Sequence, residues 1–305
     1  MKKRKIKQFF IRVLCALFVF MALPMTIHAD IGPKASVHIQ FKNMPDEQLC
    51  YGTLLSEKES TGPASVWDGI KEHARKDEET ADIWNAFVNY KDPDGYYYLQ
   101  QHDKVSDTNE IAWTYYPPNR FKILLYYPET GTFVSSGIYE RYAFDTYYTV
   151  DMEGIDIHDV EYNEELSTNE RIEAYRSYEY RQEMIGLAVR IVLTIVIEML
   201  VALLFGFREK KQLVILAVVN IITQILLNVG LNIINYNSGS MAFTIFYVLL
   251  EAVVFIVEAI LYCTLLKKAS MKKKKNWYYV LYSFIANLVS FIAGMIIANV
   301  IPGIF

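Results

Sequence analysis

The sequence predicts a three-part chain: a signal peptide, an extracellular and mostly β domain built like a β-sandwich with one inserted helix, and an α-helical membrane bundle of four spans. Three observations carry this. Charge is sharply partitioned: residues 1–29 hold six Lys or Arg and no acid, residues 30–183 hold 30 acids against 14 bases, and residues 184–305 hold ten bases against four acids. Residues 30–162 alternate apolar and polar side chains in short runs, as half-buried strands do. Four later runs are apolar for long enough to cross a hydrocarbon core of about 30 Å.

The opening segment, "MKKRKIKQFFIRVLCALFVFMALPMTIHAD", has a basic head, an apolar core from Val13 to Leu23, a break at Pro24 and a small residue, Ala29, before Asp30. This is the pattern of a signal peptide (residues 1–29) cleaved after Ala29. An uncleaved anchor is the alternative, but about eleven apolar residues rise only about 16 Å as helix, short of a bilayer core. Cysteine usage agrees with export: of three cysteines, Cys15 leaves with the signal, Cys263 lies in an apolar run, and Cys50 stands by itself in the exported part. With no intrachain disulfide, that part must rest on a packed core, and Cys50 reads as a small strand residue.

Across residues 30–162, "SVHIQF", "FKILLYY" and "RYAFDTYYTV" alternate, "PETGT" is a turn, and around seven strands can be placed. One helix interrupts them near 78–90, where Ile83, Trp84, Phe87 and Val88 form a stripe. "DPDG" at 92–95 offers Asp92 and Asp94 as a calcium-loop fragment, but the further ligands are missing and a turn is the simpler outcome. "DMEGIDIHDVEYNEE" holds seven acids and one histidine; Asp156, His158, Asp159 and Glu161 are candidate metal ligands, weighed against a solvated acidic connector. Seventeen of the 23 tyrosines lie in the exported part, so some must face outward, where they could stack on a glycan or a partner protein or serve only as good strand formers. Beyond this domain, a capping box from Ser167 to Glu170 predicts a helical stalk over 163–186 that runs straight into the membrane.

The four spans are expected at 187–207, 213–234, 242–266 and 277–303. "GFREKKQ" and "KKASMKKKKN" are basic loops and "NYNSGS" is uncharged. Positive loops remain cytoplasmic, so 208–212 and 267–276 lie inside, residues 30–183 outside, and the C-terminus outside the plasma membrane.

Carboxylates inside these spans demand an account. From Ala242 to Tyr262, thirteen Leu, Ile, Val or Phe residues supply about −4 to −8 kcal/mol of insertion free energy, and each charged mid-helix residue costs roughly 2.5–3.5. Glu251 and Glu258 would nearly cancel that if ionised and unpartnered. Seven residues apart, they point the same way but sit two turns from each other, so their partners must come from other helices. Asn220, Gln224 and Asn228 recur every four residues on one face of the second span. Counted from the cytoplasmic ends, Asn220, Glu258, Glu198 and Asn287 fall at about 10–15 Å and form an inner layer; Asn228 and Glu251, both near 22 Å, form an outer one. Arg190, near 25 Å, could pair with Glu251 or snorkel to the outer headgroups. These groups are either interhelical hydrogen-bond glue or a site for an ion, a proton or a small ligand.

"ADIGPKASVHIQF", "ESTGPAS", "DGYYYLQ" and "PPNRFKILLYYPETGTFVSSGIYERYAF" resemble exported proteins of Gram-positive anaerobes. Glu198 followed by "NIITQILLN" and then Glu251 and Glu258 is similar to a recurring bacterial membrane module. The resemblance implies the exported-domain-plus-spans organisation and brings no activity with it.

Three function classes follow. A non-enzymatic binding or sensing protein would use the acidic domain for an extracellular glycan or protein and the bundle, in the lipid bilayer, for a membrane-protein partner or a second copy of itself. A small ion, proton or solute transporter component would use the Glu/Asn layers. An intramembrane enzyme ranks last: the spans hold no His, no HExxH or paired aspartate motif occurs, and Ser283 and Ser290 lack a recognisable base. No cofactor is expected. No nucleic-acid role is expected either, because the basic cluster Lys272–Lys275 flanks a span and suits anionic lipids.

Overall fold

In the computed structural model, residues 34–45, 48–75, 78–155, 170–271 and 273–300 are described. The expected signal peptide, the acidic segment with Asp156, His158, Asp159 and Glu161, and Ser167 of the expected capping box lie outside them.

The β-rich part pairs two sheets over one core. β1 (Ser36–Lys42) lies between β6 (Glu110–Trp113), antiparallel, and β9 (Asp145–Asp151), parallel. In the second sheet β7 (Arg120–Tyr127) lies between β2 (Tyr51–Ser56) and β8 (Thr132–Glu140), both antiparallel; β5 (Asp103–Lys104) pairs with β2, and the two-residue strands β3 (Ser60–Thr61) and β4 (Ala64–Ser65) pair with each other. Val37, Ile39 and Phe41 of β1 and Phe121, Ile123, Leu125 and Tyr127 of β7 point into the same buried cluster with Trp113, Val134 and Val150. Period-two alternation places them there, as expected for a sandwich.

From Ile123 to Tyr127 β7 is a continuous run of Ile, Leu and Tyr because it is covered on both faces. Its other face, with Leu124 and Tyr126, meets α1 (Ala81–Asn89) through Ile83, Trp84 and Phe87. The helix foreseen near 78–90 is therefore a third layer on the outside of the second sheet, and α2 (Val105–Thr108) is a single turn leading into β6.

Lys122, on that same face of β7, is 2 % exposed, and its Nζ donates to Asp92 Oδ1 and Asp94 Oδ2, both at 2.8 Å. Asp92 Oδ2 also accepts from the backbone N–H groups of Asp94 and Tyr96. The "DPDG" segment is thus a turn whose carboxylates hold a cation supplied by the protein itself.

Cys50 is fully buried in the sandwich core. Burial pushes its thiol up to about 12, against the opposing effect of a hydrogen bond with Tyr127. A thiol so placed carries almost no thiolate near neutrality. Native protein should leave Cys50 unalkylated by iodoacetamide at about pH 8, with full labelling after denaturation, as peptide mass spectrometry would register.

The expected helical stalk over 163–186 is corrected at residues 170–176, whereas residues 180–186 are helical. β10 (Glu170–Ile172) pairs in parallel with β8, and β11 (Ala174–Arg176) pairs antiparallel with β9, so the segment adds an edge strand to each sheet in turn. Ile172 enters the core at 1 % exposure. Edge pairing satisfies the backbone and buries an apolar side chain, which outweighs the local helix signal. Only residues 177–179 then separate the second edge strand from α3 (Tyr180–Leu204).

Three helices are long and apolar enough to cross a membrane, within Met184–Leu204, Lys210–Ala269 and Asn276–Gly294. The second comprises α4 (Lys210–Leu261), a π-helical turn (Tyr262–Leu266) and a last turn to Ala269; α5 (Asn276–Val300) follows. At Gly239 the backbone of α4 leaves the helical region, with φ 79° and ψ 177°. Thr223 Oγ1 and Glu258 Oε1 lie 2.7 Å apart, whereas 35 residues of straight helix would separate them by about 52 Å. The chain therefore reverses at Gly239, and residues 210–238 and 240–261 run side by side.

Outward-facing positions of these helices are apolar, including Val192, Leu200, Val214, Leu226, Ile233 and Ile260, while carboxylates and amides face inward. That distribution inverts the water-soluble pattern and matches lipid as the surrounding medium.

Candidate functional site

The inner layer expected from depth counting is assembled. Glu198, Asn220 and Glu258 are each 0 % exposed and Asn287 is 6 % exposed. α3 supplies Glu198, the first arm of α4 supplies Asn220 and Thr223, the second arm supplies Glu258, and α5 supplies Asn287 and Ser290. Asn287 Nδ2 donates to Glu258 Oε2 at 2.7 Å and to the carbonyl of Ser283 at 2.9 Å. Thr223 Oγ1 lies 2.7 Å from Glu258 Oε1. Ser290 Oγ lies 3.4 Å from Glu198 Oε1, and the hydroxyl of Tyr262 donates to Asn220 Oδ1 at 2.6 Å. The π-helical turn that begins at Tyr262 helps to aim this phenol inward, as such turns often do at functional positions.

Four buried polar atoms of the first-arm, α3 and α5 residues have no hydrogen-bond partner among the described residues: Glu198 Oε2, Asn220 Nδ2, Gln224 Nε2 and Asn287 Oδ1. Orphaned polar atoms are costly in an apolar medium.

The outer layer is not joined in the same way. Asn228 Nδ2 donates to the carbonyl of Gln224 at 2.8 Å and to Gln224 Oε1 at 3.3 Å, both on its own helix. Glu251 is only partly buried, hydrogen-bonds with Tyr247 one turn earlier, and leaves Oε2 without a partner. Helical repeat placed Asn228 and Glu251 at one depth, but depth alone does not fix the rotation of two packed rods about their axes.

Arg190 is buried, contrary to the headgroup-snorkelling alternative. Its guanidinium reaches Asn232 Oδ1 at 3.4 Å and lies 5.7 Å from the ring centroid of Phe243. These contacts stand in place of the expected pairing with Glu251, because the second arm starts close to Arg190 and offers an aromatic face.

Apolar clusters close the inner layer on both sides. Toward the basic loops stand Phe207, Tyr262, Leu266, Tyr279 and Tyr282; toward the Gly239 reversal stand Leu227, Leu231 and Val254, with Phe243, Tyr247 and Leu250 against them. The loop end is also tied shut. Gln212 Nε2 donates to Ser270 Oγ at 2.9 Å, and Lys274 Nζ donates to the carbonyl of Phe205 at 3.1 Å while sitting 3.7 Å from the Tyr278 ring centroid.

At the other end the β-rich part is seated on the helices. Residues 141–144, expected to extend the β9 strand pattern, leave it, and the Phe144 N–H donates to the carbonyl of Tyr236 at 2.9 Å. The Phe144 ring fills the space over Gly239, where a Cβ would stand 2.5 Å from Phe144 Cδ1. Tyr178 packs on Tyr180 and Tyr236 at centroid distances of 4.8 and 5.4 Å.

Thr223, Tyr262 and Phe144 were not singled out by sequence reasoning. Hydroxyls one helical turn from a layer carboxyl or amide were the available signal for the first two, and nothing local marks Phe144. Of the tyrosines in the β-rich part, Tyr51, Tyr98, Tyr127 and Tyr148 are core, while Tyr97, Tyr115, Tyr116, Tyr147 and Tyr175 are exposed. Among the described residues no group of three or more His, Cys, Asp or Glu could hold a metal ion.

Comparison of the chain with protein-family models, with curated proteins and with solved structures returned no match.

Proposed function

We propose that the protein is a non-enzymatic binding or sensing protein of the plasma membrane, with its acidic β-rich domain outside the cell and its helices crossing the bilayer four times. The observation that carries this reading is the seat of Phe144 on the α4 reversal. A domain meant only to be tethered needs a flexible linker; here the β8–β9 connection hydrogen-bonds to Tyr236 and covers Gly239. Ligand binding that moved residues 141–144 would act directly on the turn joining the two arms that carry Asn220 and Glu258. The contact also supports the orientation, because it puts the domain at the uncharged turn, opposite the basic loops 208–212 and 267–276. The exposed tyrosines are the surface for an extracellular glycan or protein, and the lipid-facing helices are the surface for a membrane partner or a second copy.

A second reading, a small ion, proton or solute transporter component, is favoured by the buried Glu198–Glu258 layer. The aromatic and apolar closures on either side of that layer favour the first reading, since they interrupt any continuous polar path. Complementation of a gene deletion separates the two. The sensing reading expects rescue by the full chain and none by a chain lacking residues 34–176. Rescue by the helices without that domain, or a cation flux in liposomes that Glu258→Gln abolishes, would favour the transporter.

A further inference from the structure

Two carboxyl groups share the inner layer, and among the described residues no cationic side chain stands with them. In the apolar runs 187–207, 213–234, 242–266 and 277–303, Arg190 is the sole Lys or Arg and there is no His. Arg190 is engaged at the other end with Asn232 and Phe243. Two carboxylates between apolar closures need a compensating positive charge, and the hydrogen bonds indicate its form.

The Thr223 hydroxyl has one proton and three acceptors within reach: Glu258 Oε1 at 2.7 Å, the Val219 carbonyl at 3.0 Å and the Asn220 carbonyl at 3.2 Å. Threonine in a helix commonly donates to such a carbonyl one turn back. With its proton there, the 2.7 Å contact is a hydrogen bond only if the Glu258 carboxyl is the donor. Ser290 repeats the arrangement, 3.0 Å from the Asn287 carbonyl and 3.4 Å from Glu198 Oε1. Each hydroxyl can therefore serve both states of its carboxyl, donating to a carboxylate or accepting from a carboxylic acid while donating onward to its own helix. Among the described residues Glu198 Oε2 and Asn287 Oδ1 are buried acceptors, while the amide of Asn220 faces Glu198 as a donor, so the surroundings of Glu198 can serve either state of its carboxyl.

We propose that Glu198 and Glu258 form an exchangeable proton-binding site inside the helices. One proton from water bonds to a carboxylate oxygen, no bond in the protein breaks, and the layer's charge becomes less negative by one. The groups facing the pair are Asn220 and Thr223 from the first arm of α4, Glu251 two turns away on the second arm, Tyr262 from the π-turn, and Tyr282, Asn287 and Ser290 from α5. None of these is a cation. Among the described residues no group of three or more His, Cys, Asp or Glu stands together there to hold a divalent ion. The site rests on the membrane part of the proposed function and not on the sensing part.

The test is infrared difference spectroscopy of the full chain in lipid nanodiscs, stepped from about pH 5 to about pH 9. Wild type should show a protonated-carboxyl C=O band that shifts in D₂O and vanishes as pH rises. In a Glu251→Gln background, which removes the third carboxyl of these helices, the band should shrink in Glu198→Gln and in Glu258→Gln, disappear in the double variant, and move in frequency without loss in Thr223→Val. Absence of the band in wild type, its persistence in the double variant, or its bleaching by sodium, potassium or calcium at fixed pH would overturn the proposal, the last by making the ligand a metal ion. Circular dichroism of each variant confirms that the helices are intact. Release of the chain from membranes by alkaline carbonate would overturn the membrane reading instead, whereas an embedded chain without the band overturns the proton site alone.

Discussion

Lys122→Ala should destabilise the β-rich part by about 3–5 kcal/mol, because it leaves a buried carboxylate without its counter-charge. Lys122 is 2 % exposed and the Asp92 side chain 0 %, so water cannot replace the lost ammonium there, although Asp94 at 39 % can be rehydrated. Urea titration of the solubilised full chain, followed by tryptophan fluorescence, reads this directly. Trp67, Trp84 and Trp113 all lie in the β-rich part, and a Trp277→Phe background removes the one tryptophan of the three long apolar helices. The double variant Lys122→Met, Asp92→Asn should cost much less than the single one. The side-chain carbonyl of the introduced amide would still accept from the backbone N–H groups of Asp94 and Tyr96, and the one charge left unpaired, Asp94, is exposed enough to be hydrated. A single variant that unfolds at the wild-type urea midpoint would show that the triad carries no net stabilisation.

The same triad sets a pH dependence. Burial pulls the Lys122 ammonium down, but hydrogen bonds and charge from Asp92 and Asp94 outweigh it and leave the group above the ordinary lysine value. A raised value in the folded state means that the contribution is fully present below the unfolded lysine value of about 10.4 and drains away as pH rises past it. The β-rich part should therefore keep this stabilisation across neutral pH and lose it in alkali, and the double variant should lack that alkaline slope.

Gly239→Val is expected to damage both the helical reversal and the domain seat. At φ 79° and ψ 177° the backbone occupies a region open essentially to glycine, at a cost of order 1–3 kcal/mol for any other residue. A Cβ there would also stand 2.5 Å from two ring carbons of Phe144. The expected result is a lower thermal midpoint together with faster hydrogen exchange at the Phe144 amide, which now donates to Tyr236. Combining Gly239→Ala with Phe144→Ala separates the two causes, since it removes the clash and leaves the backbone strain. If the pair restored wild-type stability, the strain would be negligible; if Gly239→Val left Phe144 exchange unchanged, the seat would not depend on this glycine.

Much of this architecture was legible along the chain, and for particular reasons. Period-two alternation in "SVHIQF" and "FKILLYY" marked β1 and β7 because one residue in two must meet the core. The stripe of Ile83, Trp84 and Phe87 marked α1. Apolar run length marked the long helices, and helical rise placed Glu198, Asn220, Glu258 and Asn287 at one depth because about 1.5 Å per residue holds in any α-helix. These are properties of a short stretch of chain and its solvent, so residue order alone suffices for them.

Other features depended on partners distant in sequence. Residues 170–176 follow the capping-box signal of Ser167 to Glu170, yet they pair as strands because β8 and β9 offer open edges and the core accepts Ile172. Lys122 looks like a solvent-facing strand residue until α1 and the turn after it cover that face of β7. Glu251 matched Asn228 in depth but not in rotation, which the packing of neighbouring rods sets. Phe144 found Gly239 across 95 positions, in a contact that no local pattern encodes. Composition and period bind each residue to a medium and a face; which residues then meet is decided by tertiary packing, because the energy of a buried contact exists only once both partners have been brought together and dried.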